Sequence, residues 1–374
     1  WRDDDGSENT ASRTYYPATY FNYIGAAPHP TSPTDAANTA AKFGLVEIKP
    51  GNAPFPKAAG RTDCVASASS CSYNEEIQNF ANWYTYYRSR ILTARAGTGR
   101  AFSKQGTGMR VGFAAINKAA ATLDGISTRT IVSGVRAFSG SGRTSFFSSL
   151  YDHPMPAAGT PLRQALDDVG EYFKRTDDRG PWGENPGSTG GTQYACRQNY
   201  NILMTDGYWN GNSAATAGAR SNVDNTSGAT MTPPAGSSLS PFTYTPANPY
   251  KDSVSSTLAD VAMYYWVNDL RSDMANKIVP PNPKDPAFWQ HLVNFTIGLG
   301  VYGTIPKTTI ESAFSAINAT PPTTPPTIDW PTPCDGCSTQ NVDDLAHAAL
   351  NSRGNYFSAA DPDAFAASLT DALD

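Results

Sequence analysis

Between positions 199 and 208 the chain reads Asn-Tyr-Asn-Ile-Leu-Met-Thr-Asp-Gly-Tyr. Tyr200 to Met204 are apolar or aromatic except for Asn201, a run too short for a surface helix. Turn chemistry follows at once in Asp206-Gly207 and Asn210-Gly211. The pattern predicts a buried strand of a parallel sheet, with Asp206 delivered to its carboxyl end, where open α/β sheets place their ligands.

The same reading extends in both directions. Ile77, Phe80, Ala81, Tyr84, Tyr87, Arg88 and Ile91 recur at steps of three and four and predict an amphipathic helix from Glu75 to about Ala96, ended by Gly97. Met109–Ile116 and Thr130–Phe138 read as strands, and Thr144–Tyr151 as a short helix. A further helix follows Thr160, with Thr160 as N-cap, Pro161 in the first helical position, and Leu162, Ala165, Leu166, Val169, Tyr172 and Phe173 as its apolar set. Beyond residue 206, helices are expected over Thr257–Asn276, Thr308–Ile317, Val342–Ser352 and Pro362–Leu373, the last capped by Asp361. Strands are expected over Leu292–Gly300 and Asn355–Ser358.

Strands alternating with helices specify an α/β fold, a doubly wound and mostly parallel sheet of Rossmann-like character. Residues 1–374 read as one domain. Residues 1–73 form an extended N-terminal region, and two polar insertions interrupt the alternation at 207–253 and 320–339. The first insertion is dense in Gly, Asn, Ser, Thr and Pro, and loops of that length are functional or mobile. Within it, Asn222-Val-Asp224-Asn225 could offer oxygens to a cation, although a solvated loop is the plainer reading. The acidic run Asp3-Asp4-Asp5-Gly6-Ser7 has the same two readings, a calcium site or a solvated tail.

Composition narrows the function. A net charge of −5 without a Lys/Arg cluster argues against nucleic acid as the main partner. No apolar run approaches the roughly 20 residues of a membrane span, and no secretion signal is visible at Trp1, which suggests a processed or excised piece. Cys64 and Cys71 bracket a Ser/Ala loop and suit a local disulfide. Cys334 and Cys337 sit in a Pro/Thr-rich stretch and read as a second surface disulfide, with Cys196 left over. Zinc is the alternative for these cysteines, but the four histidines show no ligand spacing. Together these features favour an exported protein. An α/β hydrolase is a competing class, yet no Gly-x-Ser-x-Gly elbow and no Gly-x-Gly-x-x-Gly loop is present; Gly140-Ser-Gly-Arg-Thr-Ser145 lacks the Lys-Ser/Thr ending of a phosphate loop.

Gly159-Thr160-Pro161-Leu162 before a helix, Ile202-Leu-Met-Thr-Asp-Gly207 ending a strand, and Gly354-Asn-Tyr-Phe-Ser358 before the last helix resemble a von Willebrand factor type A domain over about residues 75–374. More closely, the stretches 76–88, Arg110-Val-Gly-Phe113, Asn199–Asn210 and Tyr15-Tyr-Pro-Ala-Thr-Tyr20 are similar to the PilY/PilC group of type IV pilus tip proteins. The resemblance implies a module for cell-surface adhesion and pilus assembly at a bacterial pilus tip, with minor pilins and a host or surface ligand as partners. It also implies a metal-ion-dependent adhesion site for Mg or Ca, with Thr160 and Asp206 as ligands. That site needs a first loop Asp-x-Ser-x-Ser after a buried strand, which Asp5-Gly-Ser7-Glu-Asn9 does not supply. The first strand is therefore expected upstream of Trp1, and cation affinity in this fragment is expected to be weak. The alternative within the same setting is a metal-free docking domain for minor pilins.

Overall fold

A computed structural model of the chain describes residues 17–24, 40–58, 60–156, 158–205, 208–277, 281–336, 339–359, 366–367, 369–370 and 373. Asp206, Cys337, the Asp3–Asp5 run and most of the expected Pro362–Leu373 helix lie outside the described residues. The fold divides into two compact units, Trp1–Ala96 and Gly97–Asp374.

The first unit builds its own small core. Strands β1 (Thr19–Tyr23) and β2 (Phe43–Glu47) pair antiparallel, as do the two-residue strands β3 (Phe55–Pro56) and β4 (Ser70–Cys71). Ile48, Phe55 and the half-cystines Cys64 and Cys71 are buried together, and the two sulfurs are bonded. Cys334, in the second unit, is disulfide-bonded as well, and Cys196 is free and exposed. Helix α1 (Tyr73–Tyr86) starts in a capping box: Ser72 Oγ accepts from the Glu75 amide, and the Glu75 carboxylate accepts from the Ser72 amide. Two further amides, of Val65 and Ala66, donate to the same carboxylate. These hydrogen bonds hold it down at about 2.

The single helix expected over Glu75–Ala96 is two helices, α1 and α2 (Arg90–Ser103). Tyr87 leaves helical geometry at φ −137°, and Ser89 Oγ accepts from the Leu92 amide, restarting the chain as a cap. Gly97 does not end the helix. Gly99, two residues on, serves close packing, since a Cβ there would lie 1.8 Å from the Tyr151 hydroxyl.

In the second unit, β5 (Arg110–Ala114) and β8 (Ile131–Ala137) pair antiparallel around a hairpin of β6 (Ala121–Leu123) and β7 (Ile126–Thr128). Asp124 and Gly125 turn that hairpin with φ of 51° and 86°, the geometry that suits the right-handed strand twist. Helices α3 (Gly140–Asp152) and α4 (Leu162–Phe173) follow, then β9 (Tyr200–Thr205), the short pair β10 (Thr230–Met231) and β11 (Phe242–Thr243), and helix α5 (Leu258–Val267). Strand β12 (Val293–Leu299), helices α6 (Lys307–Asn318) and α7 (Gln340–Asn351), and β13 (Tyr356–Ala359) complete the unit. β12 is the centre of a parallel three-stranded sheet in the order β13-β12-β9. The strand expected to be buried, β9, occupies an edge among the described residues, with Tyr200 half-exposed, while β12 is buried almost throughout.

Helices α5 and α7 lie side by side, and α7 covers β12. α5 is ten residues long rather than the expected twenty, and its body is almost wholly buried. Thr257 closes its start in a second capping box with Asp260. The stretch Asn222–Asn225 of the first insertion, read as a solvated loop, instead buries Val223 and Asp224. Val223, Met231 and Tyr244 pack with Trp266 and Trp289 in one apolar cluster, and the amides of Ala215 and Thr216 donate to Asp167 on α4. A few large apolar residues scattered through a polar stretch were enough to dock it. No helix among the described residues is long and apolar enough to cross a membrane.

Candidate functional site

The carboxyl end of β9 leads into Tyr208-Trp209-Asn210-Gly211, and three loops meet there. The Thr160 amide donates to Asn210 Oδ1 at 2.8 Å, and the Asn210 amide donates back to the Thr160 carbonyl at 3.0 Å. Asn117, held at φ 60°, donates from Nδ2 to the Gly159 carbonyl at 2.6 Å. The loop after β5, the loop before α4 and the loop after β9 are joined in this way. Thr160 is not the helix cap, because Pro161 takes the cap position and makes no side-chain capping bond. The threonine hydroxyl is consequently not committed to a capping bond with α4.

Below this junction the loop after β9 is clamped to the core. Trp209 is buried, its indole N–H donates to Asp344 Oδ2 at 2.8 Å, and Arg163 stacks 4.0 Å over its ring. Arg163 Nη2 donates to the Gly211 carbonyl and Nη1 to that of Ser256. Asn341 Nδ2 donates to the Trp209 carbonyl, and the Gly211 amide donates to Asp335 Oδ1 at 2.6 Å. Asp344 also receives the Leu258 and Ala259 amides at the start of α5. Burial nevertheless raises its carboxyl to about 7, with the nearby Asp260 acting in the same direction. Desolvation outweighs the three donors.

A cleft of about 420 Å³ opens beside Thr160, lined by Asn117, Lys118, Arg129, Thr130, Pro161 and Gln164 among others. Two cationic side chains at a mostly neutral wall favour an acidic group on whatever enters. Of the two proposed cation ligands, Thr160 stands at this junction, and Asp206 lies outside the described residues, four positions before Asn210. Sequence reasoning passed over Asn210, Trp209, Arg163 and Asp344. The one available signal was a tryptophan inside a Gly/Asn turn, where an exposed aromatic would be out of place.

The described residues furnish one hydroxyl of the adhesion-site set and no first-loop Asp-x-Ser-x-Ser. A hard cation that takes six or more oxygens is not closed by that set alone.

In sequence, the chain is homologous to type IV pilus biogenesis factors. It is 36% identical over 340 residues to PilY1 of Pseudomonas aeruginosa strain PAK, an alignment covering 84% of this chain and 28% of that protein. Against PilY1 of P. aeruginosa PAO1 it is 35% identical over 354 residues, covering 87% of this chain and 29% of the relative. Against the UCBPP-PA14 protein it is 34% identical over 329 residues. The chain therefore spans less than a third of the length of these relatives. No protein-family model and no solved structure matches it.

Proposed function

We propose that this chain is the partner-binding module of a PilY1-like type IV pilus biogenesis factor, acting at the cell surface through the face formed by Thr160, Asn210 and the adjoining cleft. The observation that carries the reading is the reciprocal Thr160–Asn210 pair. It draws the loop before α4 onto the loop that follows a parallel strand, at the end of the sheet where such folds bind ligands.

In this reading the module has a von Willebrand factor A architecture, and Thr160 and Asp206 supply two ligands of an Mg²⁺ or Ca²⁺ site. The remaining ligands come from a strand and loop upstream of Trp1. The strand pairing supports room for that strand: among the described residues β9 pairs only with β12, and β5 only with β8. Each keeps one edge that a further strand could take. The cation, when bound, would leave a coordination position for a carboxylate of the partner.

Calorimetry on a chain extended upstream of Trp1 tests this. One equivalent of Mg²⁺ should bind, and Asp206→Ala should abolish Mg²⁺ binding while circular dichroism stays unchanged. A folded extended chain that ignores Mg²⁺ and Ca²⁺ replaces the metal-dependent reading with a metal-free docking surface for minor pilins.

A further inference from the structure

Away from the Thr160 junction, three side chains from distant parts of the second unit converge in its interior. Asp224 and Asp252 come from the first insertion and its end, and His347 from the middle of α7. One donor atom from each lies within 4.8 Å of the others. Asp224 and His347 are 0% and 1% exposed. The Asp252 side chain is 6% exposed. We propose that Asp224, Asp252 and His347 bind one divalent transition-metal ion of the Zn²⁺ type.

The hydrogen bonding around the imidazole points to a cation. His347 Nε2 lies 2.6 Å from the Tyr250 carbonyl, a distance that only an N–H donor tolerates, so Nε2 carries the ring proton. With Nε2 donating to that carbonyl, Nδ1 is the nitrogen left to offer a lone pair. That lone pair faces Asp252 Oδ2 at 3.7 Å, beyond the reach of a shared proton. A cation placed between these two atoms would be held by both. Ligand atoms on a tetrahedral zinc with bonds of about 2.0–2.1 Å stand roughly 3.3–3.4 Å apart, so a contraction of a few tenths of an ångström closes this pair.

The carboxylates are already oriented by partners that would form the outer sphere. Asp224 Oδ1 accepts from the Asp252 amide at 3.1 Å, and its Oδ2 accepts from Asn351 Nδ2 at 2.9 Å. Asp252 Oδ1 accepts from the Val254 amide at 2.7 Å. Trp330 stacks on the His347 ring at 4.1 Å and fixes its plane. Among the described residues both aspartates make their ion-pair contacts with His347, Asp224 Oδ2 at 3.5 Å from Nε2 and Asp252 Oδ2 at 3.7 Å from Nδ1, and neither pairs with a Lys or Arg.

An independent sign comes from Asn351. Its side chain is wholly buried, its amide nitrogen touches Asp224, and its Oδ1 has no hydrogen-bond partner. A water on the metal would give that oxygen the donor it lacks and complete a four-coordinate ion. One imidazole with two carboxylates suits Zn²⁺, Co²⁺ or Mn²⁺ better than Ca²⁺ or Mg²⁺, which favour all-oxygen shells.

The test uses the whole chain, stripped with chelator and titrated with Zn²⁺ or Co²⁺. One equivalent should bind, and Co²⁺ should give the intense visible absorption of a four-coordinate site. Asp252→Asn, at the most accessible ligand, should weaken affinity at least tenfold with the circular dichroism unchanged, and His347→Gln should remove the absorption. If His347→Gln does not fold, Asp252→Asn decides alone. Asp206→Ala should bind Zn²⁺ and Co²⁺ as the parent does, which separates this site from the Thr160 junction. A folded parent chain with no stoichiometric Zn²⁺ or Co²⁺, or an Asp252→Asn chain that binds equally well, overturns the proposal.

Discussion

Trp209 and Asp344 stand 135 positions apart in the chain and meet in the interior, the indole N–H 2.8 Å from the carboxylate. The same carboxylate takes the first two amides of α5. One side chain on α7 therefore closes the open start of a buried helix and anchors the loop that leaves β9.

Replacing that group should be costly. Asp344→Ala leaves three buried N–H donors without a partner, each worth about 1–3 kcal/mol of desolvation. A total on the order of 3 kcal/mol or more is expected as a lower denaturant midpoint with an unchanged slope. Asp344→Asn keeps an acceptor in place and should lose much less. Equal losses for the two would show that the carboxamide shape does not serve and that charge is what matters.

The same carboxyl sets a pH dependence. Burial raises it from its ordinary 3.8 to about 7 in the folded chain. Between those values the native state holds a proton that the unfolded state has released, so the contribution to stability is complete below about pH 4. It is lost as pH rises toward 7 and is constant above. Thermal unfolding in chelator should show a higher midpoint at pH 5.5 than at pH 8. Asp344→Asn should flatten part of that difference, and an unchanged profile in that variant would assign the pH effect elsewhere.

The sequence was most legible where one residue type dominates a local choice. The expected helix starts near Glu75 and Thr257 are observed, and Ile202–Thr205 lies in a parallel strand. It was least legible where partners far along the chain decided the outcome. β9 reads as central because its side chains are apolar, but its neighbours are fixed by which strands pair with it, and β12 takes the middle. The 207–253 segment reads as solvent-exposed because its composition is polar. Asp224 within it is fully buried because Asn351 and the Asp252 amide, 127 and 28 positions away, supply its hydrogen bonds. Of the candidate site, Thr160 was found for its type and place, while the contact that gives it meaning is Asn210, which reads only as a turn residue.

Removal of the Cys64–Cys71 bond should act on the first unit alone. The bridge closes a loop with a sequence separation of seven and lies in the apolar cluster of Ile48 and Phe55. Closing a loop of that size is worth roughly 2–3 kcal/mol through the unfolded state. Amide hydrogen exchange in a Cys64→Ser/Cys71→Ser chain, which keeps the Cys334 bond, should rise across β2, β3 and the start of α1. Exchange in β12 and α7 should be unaltered, and a matching rise there would mean that the two units unfold as one.

The Thr160–Asn210 pair gives the sharpest separation of function from folding. Asn210→Ala removes one hydrogen bond at the loop junction and keeps its own amide for the Thr160 carbonyl. The stability loss should stay near 1 kcal/mol. Gly159→Ala attacks the same junction from the other side, since a Cβ there would lie 2.5 Å from Asn210 Oδ1. If this junction presents the binding face, both variants should weaken cation or partner binding by an extended chain about tenfold, because misplacing one ligand-bearing loop by an ångström is enough. Lys118→Ala, across the cleft, should weaken only the partner and leave the cation untouched. Binding that survives all three substitutions in well-folded chains would make the junction a structural clasp and move the functional face elsewhere.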